Sequence, residues 1–283
     1  MGVAPLFRPL APSTSDLMKR FIPFMKSDPL VAVVKLNGVI AAGGRGQVLS
    51  DASTAPLLEK AFRKGKPKAV ALVINSPGGS PVQSSLIGAR IKRLSQELEV
   101  KTFAFVEDVA ASGGYWLAAS ADEIWVDESS ITGSIGVISA SFGFNELLDR
   151  YGIERRVHTA GKDKSMLDPF RPERPEDVER LKALQKKIHD NFIAHVKAGR
   201  GDSLSDDKDL FTGEIWVGND AQKVGLVDGI GHVVPKMKEL YGDKVRFQVY
   251  GQKRPFFARF GAQMMGEAIG QMDDRALWAR YGL

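Results

Sequence analysis

Apolar and polar residues follow one another along this chain in blocks that predict alternating strands and helices. Residues 69–75 form a continuous apolar run, which is typical of a strand buried on both faces. Residues 82–98 carry apolar side chains at helical spacing with basic residues between them, which predicts an amphipathic helix. Similar patterns predict strands at 31–36, 102–106, 123–126, 135–139 and 154–157, and helices at 53–63, 112–120, 145–151 and 176–197. Such alternation indicates an α/β fold of parallel strands with helical crossovers.

The predicted elements divide the chain into three parts. Residues 31–235 hold the alternating strands and helices and form the predicted domain, and residues 1–30 are an N-terminal extension. Residues 236–283 form a tail, in which the segment 255–269 places Phe and Met at roughly helical spacing with Arg and Glu between them. A segment of this kind can lie at a membrane surface or pack on a neighbouring subunit, and the sequence leaves both open.

Composition excludes several classes of site. The chain has no cysteine, so disulfides, thiolate metal sites and cysteine nucleophiles are excluded. The four histidines lie outside any metal-ligand spacing, and we interpret them as structural; no metal or cofactor is expected. The net charge of +5 comes mainly from residues 1–30 and 251–283, which argues against a nucleic-acid groove in the domain. No apolar segment has the length of a membrane span or a signal-peptide core, so we expect a cytoplasmic protein or one peripheral to the cytoplasmic membrane face.

One serine stands where a nucleophile would be useful. Ser112 follows the strand 102–106 and begins an Ala-rich helix, and the glycines after it leave its side chain uncovered. Taken alone, this stretch is better explained by a serine that caps the helix. Two other stretches change that balance: the Gly78-Gly79 turn, which can present N–H groups to negative charge, and a lysine-bearing turn at 158–165. A serine, an N–H loop and a lysine are the parts of a Ser–Lys hydrolase.

Six short motifs carry a resemblance to a known family. They are Asn75-Ser76-Pro77-Gly78-Gly79, Ala111-Ser112-Gly113-Gly114-Tyr115, Thr132-Gly133-Ser134-Ile135-Gly136-Val137, Gly161-x-x-Lys164, Phe211-Thr212-Gly213-Glu214 and Ala221-x-x-x-Gly225-Leu226-Val227-Asp228. In order and spacing they resemble the signal peptide peptidase A (SppA/SohB-like) family of Ser–Lys peptidases. The resemblance implies a ClpP/crotonase-like spiral and a ring- or dome-shaped homo-oligomer. It also implies cofactor-free hydrolysis of short hydrophobic peptides such as cleaved signal peptides.

The resemblance assigns roles to individual residues. Ser112 is the expected nucleophile, Lys164 the general base, and Ser134 the residue that hydrogen-bonds and orients the lysine. The alternative base is Lys162, and Ser134 is alternatively a turn serine. We expect the N–H groups of Gly79 and Gly113 to bind the oxyanion. A free lysine has a pKa near ~10.4, so a neutral lysine at pH 7 needs a depression that costs roughly 4 kcal/mol.

Two other functions remain open at this point. A crotonase-type acyl-CoA enzyme can share the fold, but it leaves Lys164 and Ser134 unexplained. A catalytically idle, membrane-associated scaffold can also keep the fold, although it has no need of an intact Ser112 and Lys164.

Overall fold

The protein is described by a computed structural model for residues 28–43, 48–161, 164–251 and 277–283. Within these residues, eight strands form one sheet in the order β6-β5-β3-β2-β1-β8, with β4 pairing β3 and β7. All pairings are parallel except that of β5 with β6. The strands are β1 (Leu30–Asn37), β2 (Ala69–Ser76), β3 (Lys101–Ala111), β4 (Glu123–Val126), β5 (Ile131–Gly133), β6 (Ile215–Val217), β7 (Gly229–Ile230) and β8 (Arg246–Tyr250).

Helices connect the parallel strands. They are α1 (Asp51–Arg63), α2 (Pro81–Leu98), α3 (Gly113–Ala118), α4 (Asn145–Arg150), α5 (Pro175–Arg200), α6 (Gly218–Lys223) and α7 (Val233–Tyr241). The helix α1 crosses from β1 to the parallel β2, and α2 crosses from β2 to the parallel β3. This confirms the predicted α/β fold of parallel strands with helical crossovers.

The central strands are buried on both faces of the sheet. On one face, Val34, Leu72 and Ala104 belong to a hydrophobic cluster that includes Leu58 of α1 and Ile91 of α2. On the other face, Val33, Val73 and Phe105 cluster with Met237 of α7. The continuous apolar run of residues 69–75 is therefore a strand covered on both sides, as its pattern predicts.

The pairing of β2 with β3 is irregular shortly before the candidate nucleophile, Ser112. Ile74 pairs with Val106, but the next pair is Ser76 with Ala110, so β3 accommodates extra residues there. The Asn75 side chain bridges this step, donating to the Asp108 carboxylate and accepting the Val109 N–H. As a result β3 pairs with β4 before the step and with β5 after it. The strand is longer than the predicted 102–106 because Glu107 and Asp108 interrupt the apolar pattern without ending the strand.

Several predicted boundaries are wrong. The strand expected at 135–139 is not formed: the strand lies at Ile131–Gly133, and Ile138 beyond it is 68% exposed. The segment 154–157 is likewise not a strand, and no strand among the described residues pairs with it. The predicted domain end at residue 235 falls inside α7, and β8 then pairs with β1. The sheet of this domain therefore extends to β8, which ends at Tyr250.

Candidate active site

Ser112 lies at a strained turn between a strand and a helix. It follows the last residue of β3 and precedes the first residue of α3, with φ 52° and ψ −120°. A non-glycine residue in this region costs of order 1–3 kcal/mol, and such strain concentrates at functional sites. Its hydroxyl makes no capping hydrogen bond to α3, so helix capping does not explain this serine. A strained turn from strand to helix is also how other serine hydrolases expose a nucleophilic hydroxyl.

The Gly78-Gly79 turn packs directly against Ser112. Both glycines have positive φ, 100° and 138°, and the Gly78 N–H donates to the buried Ser76 hydroxyl at 3.2 Å. A Cβ at Gly78 would lie 2.8 Å from the Cβ of Ser112 and 2.8 Å from the Gly113 nitrogen. Only glycine allows the two turns to come so close.

The two predicted oxyanion donors flank this contact. In the part of the chain that the structure describes, neither the Gly79 N–H nor the Gly113 N–H has a hydrogen-bond acceptor. A Cβ at Gly79 would lie 2.1 Å from the carbonyl oxygen of Ile40. A Cβ at Gly113 would lie 2.4 Å from the hydroxyl of Ser84. Backbone N–H groups fixed this tightly and left without an acceptor are what an oxyanion site requires.

Ser134 lies beside Ser112 at the ends of neighbouring strands. Ala111 of β3 pairs with Gly133 of β5, and the Ser112 N–H donates to the Gly133 carbonyl oxygen at 2.9 Å. Ser134 has φ 51° and is only 8% exposed. Its N–H donates to the Glu214 carbonyl at 2.7 Å, so its backbone is held in place.

Among the described residues, no hydrogen bond joins Ser112 to the side chain of Lys164. Its side chain is exposed and, among the described residues, makes no hydrogen bond or ion pair. Its backbone N–H donates to the Gly161 carbonyl at 3.3 Å. Lys162, the alternative base, lies outside the described residues. The structure thus places Ser112, Ser134, Gly79 and Gly113 together, and the assignment of the base stays a prediction.

Lys164 belongs to a largely exposed part of the chain, residues 138–161 and 164–174, which we call the arm. Phe142 is 79% exposed, and its ring lies 6.3 Å from that of Phe144, which stacks on Phe170 at 5.7 Å between ring centroids. The following helix α5 has an apolar stripe at helical spacing, in which Leu184 and Ile188 are exposed. Phe192, further along the same stripe, is buried.

His195 is structural, as interpreted from the sequence. Its Nε2 lies 2.9 Å from the carbonyl oxygen of Trp116, and its ring stacks on that indole with centroids 4.6 Å apart. Burial lowers the pKa of His195 to about 4. This neutral histidine packs on Trp116 of α3.

Two residues at the site were not predicted as site residues from the sequence. The sequence pattern marks Gly78 only as part of its turn, but its positive φ and its contact with Ser112 make it as necessary as Gly79. Tyr281 donates its hydroxyl to the Ser134 hydroxyl at 3.3 Å, and nothing in its sequence context pointed to this.

Three further features are a membrane-spanning helix, a metal site and the amphipathic segment of the tail. No described helix is long and apolar enough to cross a membrane. The described residues also contain no cluster of His, Cys, Asp or Glu that could hold a metal ion. The amphipathic segment 255–269 lies outside the described residues, so its membrane contact stays a prediction.

Comparison with known proteins gives a consistent family. Residues 95–244, more than half of the chain, match the model of peptidase family S49. The chain is 33% identical, over 59% of its length, to the chloroplastic serine protease SPPA of Arabidopsis thaliana, and the match covers 24% of that protein. A mutant of a membrane-bound stomatin-specific protease, a solved structure, has 14% identity and a TM-score of 0.49, with 81% of this chain and 100% of that chain covered.

A further relative carries a different name. The chain is 49% identical, over 94% of its length, to the Na⁺/H⁺ antiporter NhaA of Brucella melitensis biotype 1. The match covers 39% of that protein. The chain thus spans well under two thirds of the length of these curated relatives.

Proposed function

Because the chain belongs to peptidase family S49, we propose that it is a serine endopeptidase with Ser112 as nucleophile and Lys164 as general base. The observation that carries the proposal is the strained, uncapped Ser112 packed against the Gly78-Gly79 turn. Helix capping does not explain the strain at Ser112, and this residue lies against the turns whose two N–H groups lack acceptors.

The proposed reaction uses these groups in sequence. The Ser112 hydroxyl attacks the peptide carbonyl while the neutral Lys164 amine takes its proton. The N–H groups of Gly79 and Gly113 bind the resulting oxyanion, and the lysine then gives the proton to the leaving amine. Water attacks the acyl-enzyme by the same route, which releases the second product and restores the Ser112 hydroxyl. Ser134 orients the lysine by a hydrogen bond.

The exposed arm supports an assembly of several copies. Its aromatic cluster is an apolar surface that water contacts in the single chain, and Leu184 and Ile188 of α5 are exposed as well. Lys164 lies on this arm and contacts no acidic or hydrogen-bonding partner among the described residues. We therefore propose a homo-oligomer, ring- or dome-shaped, in which the arm packs on a neighbouring copy and brings Lys164 to that copy's Ser112. The proposed substrates are short hydrophobic peptides such as cleaved signal peptides.

Other functions receive less support. An acyl-CoA enzyme can use paired N–H groups for an oxyanion, but it has no use for a strained serine between them. Ion transport is not carried over from the antiporter relative, because 39% of that protein is matched and the matched region includes the peptidase family model. An idle scaffold does not require the strain at Ser112.

Covalent labelling tests the proposed function. A fluorophosphonate probe should modify the full-length protein at Ser112, identified by peptide mass spectrometry, and Ser112→Ala should abolish the labelling. Ser139→Ala is the matched control, since this exposed serine lies on the arm and should leave labelling unchanged. Labelling at another serine, or none in a protein that hydrolyses peptides, would contradict Ser112 as nucleophile.

A further inference from the structure

A residue from the far end of the described chain touches the candidate active site. The Tyr281 hydroxyl donates to the Ser134 hydroxyl at 3.3 Å, across a sequence separation of 147 residues. Tyr281 lies outside the residues that match the peptidase family model. The contact thus joins Ser134, which lies inside the matched residues, to a tyrosine outside them.

The surrounding segment, residues 277–283, is docked as a compact turn; we call it the latch. The Tyr281 N–H donates to the Trp278 carbonyl at 2.9 Å, and the Leu283 N–H donates to the same oxygen at 3.3 Å. Leu277, Trp278 and Tyr281 are partly buried, whereas Ala279 and Arg280 are exposed. One side of the turn thus faces the protein, and it is the side that carries Tyr281.

We propose that the latch is autoinhibitory, because Tyr281 holds the hydroxyl that the catalytic lysine must reach. This proposal rests on the proposed function, in which Ser134 orients Lys164. The Ser134 side chain is nearly buried, and the partner of its hydroxyl is Tyr281. Lys164 is meanwhile exposed and makes no hydrogen bond among the described residues. Peptide hydrolysis then requires the latch to leave Ser134 so that the lysine amine can replace the phenol.

The latch is weak enough to open. It holds Ser134 by one hydrogen bond between neutral groups, and a bond of this kind shifts a population by about two- to tenfold. Bound substrate or assembly of the arm can therefore displace it. Removing the phenol hydroxyl should raise the open fraction by a similar factor.

Activity measurements test the inhibition. Tyr281→Phe should raise kcat/KM for a fluorogenic hydrophobic peptide about fivefold, and Tyr281→Ala should raise it further because ring packing is lost as well. Tyr241→Phe is the matched control, since this tyrosine lies on α7 at the other side of the sheet, and it should change nothing. Reduced activity in Tyr281→Phe would show that Tyr281 is a positioning residue. Unchanged activity in both Tyr281→Phe and Tyr281→Ala would show that Tyr281 does not act on the site. Either result overturns the latch.

Crosslinking tests the docking without any hydrolysis. The chain has no cysteine, so the double variant Tyr281→Cys with Ser134→Cys provides a single reactive pair. A short bismaleimide should link the pair within one chain, whereas Lys238→Cys with Ser134→Cys, the control pair, should stay unlinked. Absence of the link in the double variant, with Ser112-dependent hydrolysis measured in the natural chain, would overturn the latch alone. Absence of hydrolysis in both the natural chain and Tyr281→Ala would overturn the proposed function and the inhibition with it.

Discussion

The N–H of Ser112 donates to the carbonyl oxygen of Gly133 at 2.9 Å. This bond continues the pairing of β3 with β5 beyond Ala111, so Ser112 and Ser134 emerge side by side from the ends of adjacent strands. Both serines have positive φ, 52° and 51°. The sheet itself therefore sets the relative position of the proposed nucleophile and the proposed lysine-orienting hydroxyl.

Gly78→Ala should inactivate the enzyme. The new Cβ would lie 2.8 Å from the Cβ of Ser112 in a backbone with φ 100°, so the turn must move. Displacing one oxyanion donor should lower kcat/KM by about 10²-fold or more, and strain should lower the free energy of unfolding by about 1–3 kcal/mol.

Peptide hydrolysis and urea unfolding measure these two effects. Gly43→Ala is the control, because its Cβ would meet nothing within 4 Å. Full activity in Gly78→Ala would show that the turn tolerates displacement and does not form the oxyanion site.

Stability should fall in acid because of His195. Burial, with a smaller contribution from Lys92, lowers its pKa from 6.5 to about 4. Between these values the unfolded chain binds more protons than the folded one, so the free energy of unfolding should rise with pH across this window and level off above it. Urea unfolding at several pH values measures the slope. The slope of the free energy of unfolding against pH should be smaller in His195→Gln than in the control His232→Gln. An equal slope in the two variants would contradict the assignment of this pH dependence to His195.

The fold was predictable from local patterns wherever a strand or helix is independently buried. The apolar run of β2 and the amphipathic α2 needed no knowledge of their neighbours. The length of β3 was not predictable, because Glu107 and Asp108 remain in the strand only where Asn75 bridges the irregular step. The strand predicted at 135–139 does not form, for a related reason. Whether a segment becomes a strand depends on which neighbouring strand is available to pair with it.

Part of the candidate site was predictable for a different reason. Ser112, Gly79 and Gly113 lie in turns whose glycines and position after apolar strands are visible in the sequence. The position of Lys164 relative to Ser112 depends on how the arm packs, which local spacing does not encode. Tyr281 comes to Ser134 across 147 residues and leaves no local pattern at all.

Inactive variants should complement each other if Lys164 acts on a neighbouring copy. Ser112→Ala and Lys164→Ala, dissociated and reassembled together in equal amounts, should regain about a quarter of the original activity. One site in about four then pairs an intact serine with an intact lysine across a repeated interface. Sedimentation and peptide hydrolysis measure assembly and activity together. Ser112→Ala mixed with the double variant should stay inactive, and a lack of recovery in mixed oligomers would place the lysine and serine in one chain.

The most direct test of the Ser–Lys mechanism is hydrolysis of a signal-peptide-derived substrate by three single variants. Ser112→Ala and Lys164→Ala should each lose at least about 10³-fold in kcat, with circular dichroism and sedimentation unchanged, because each removes a group that acts in bond cleavage. Lys162→Ala should keep most of the activity. An active Lys164→Ala together with an inactive Lys162→Ala would contradict the assignment of the base, and an active Ser112→Ala would contradict the mechanism itself.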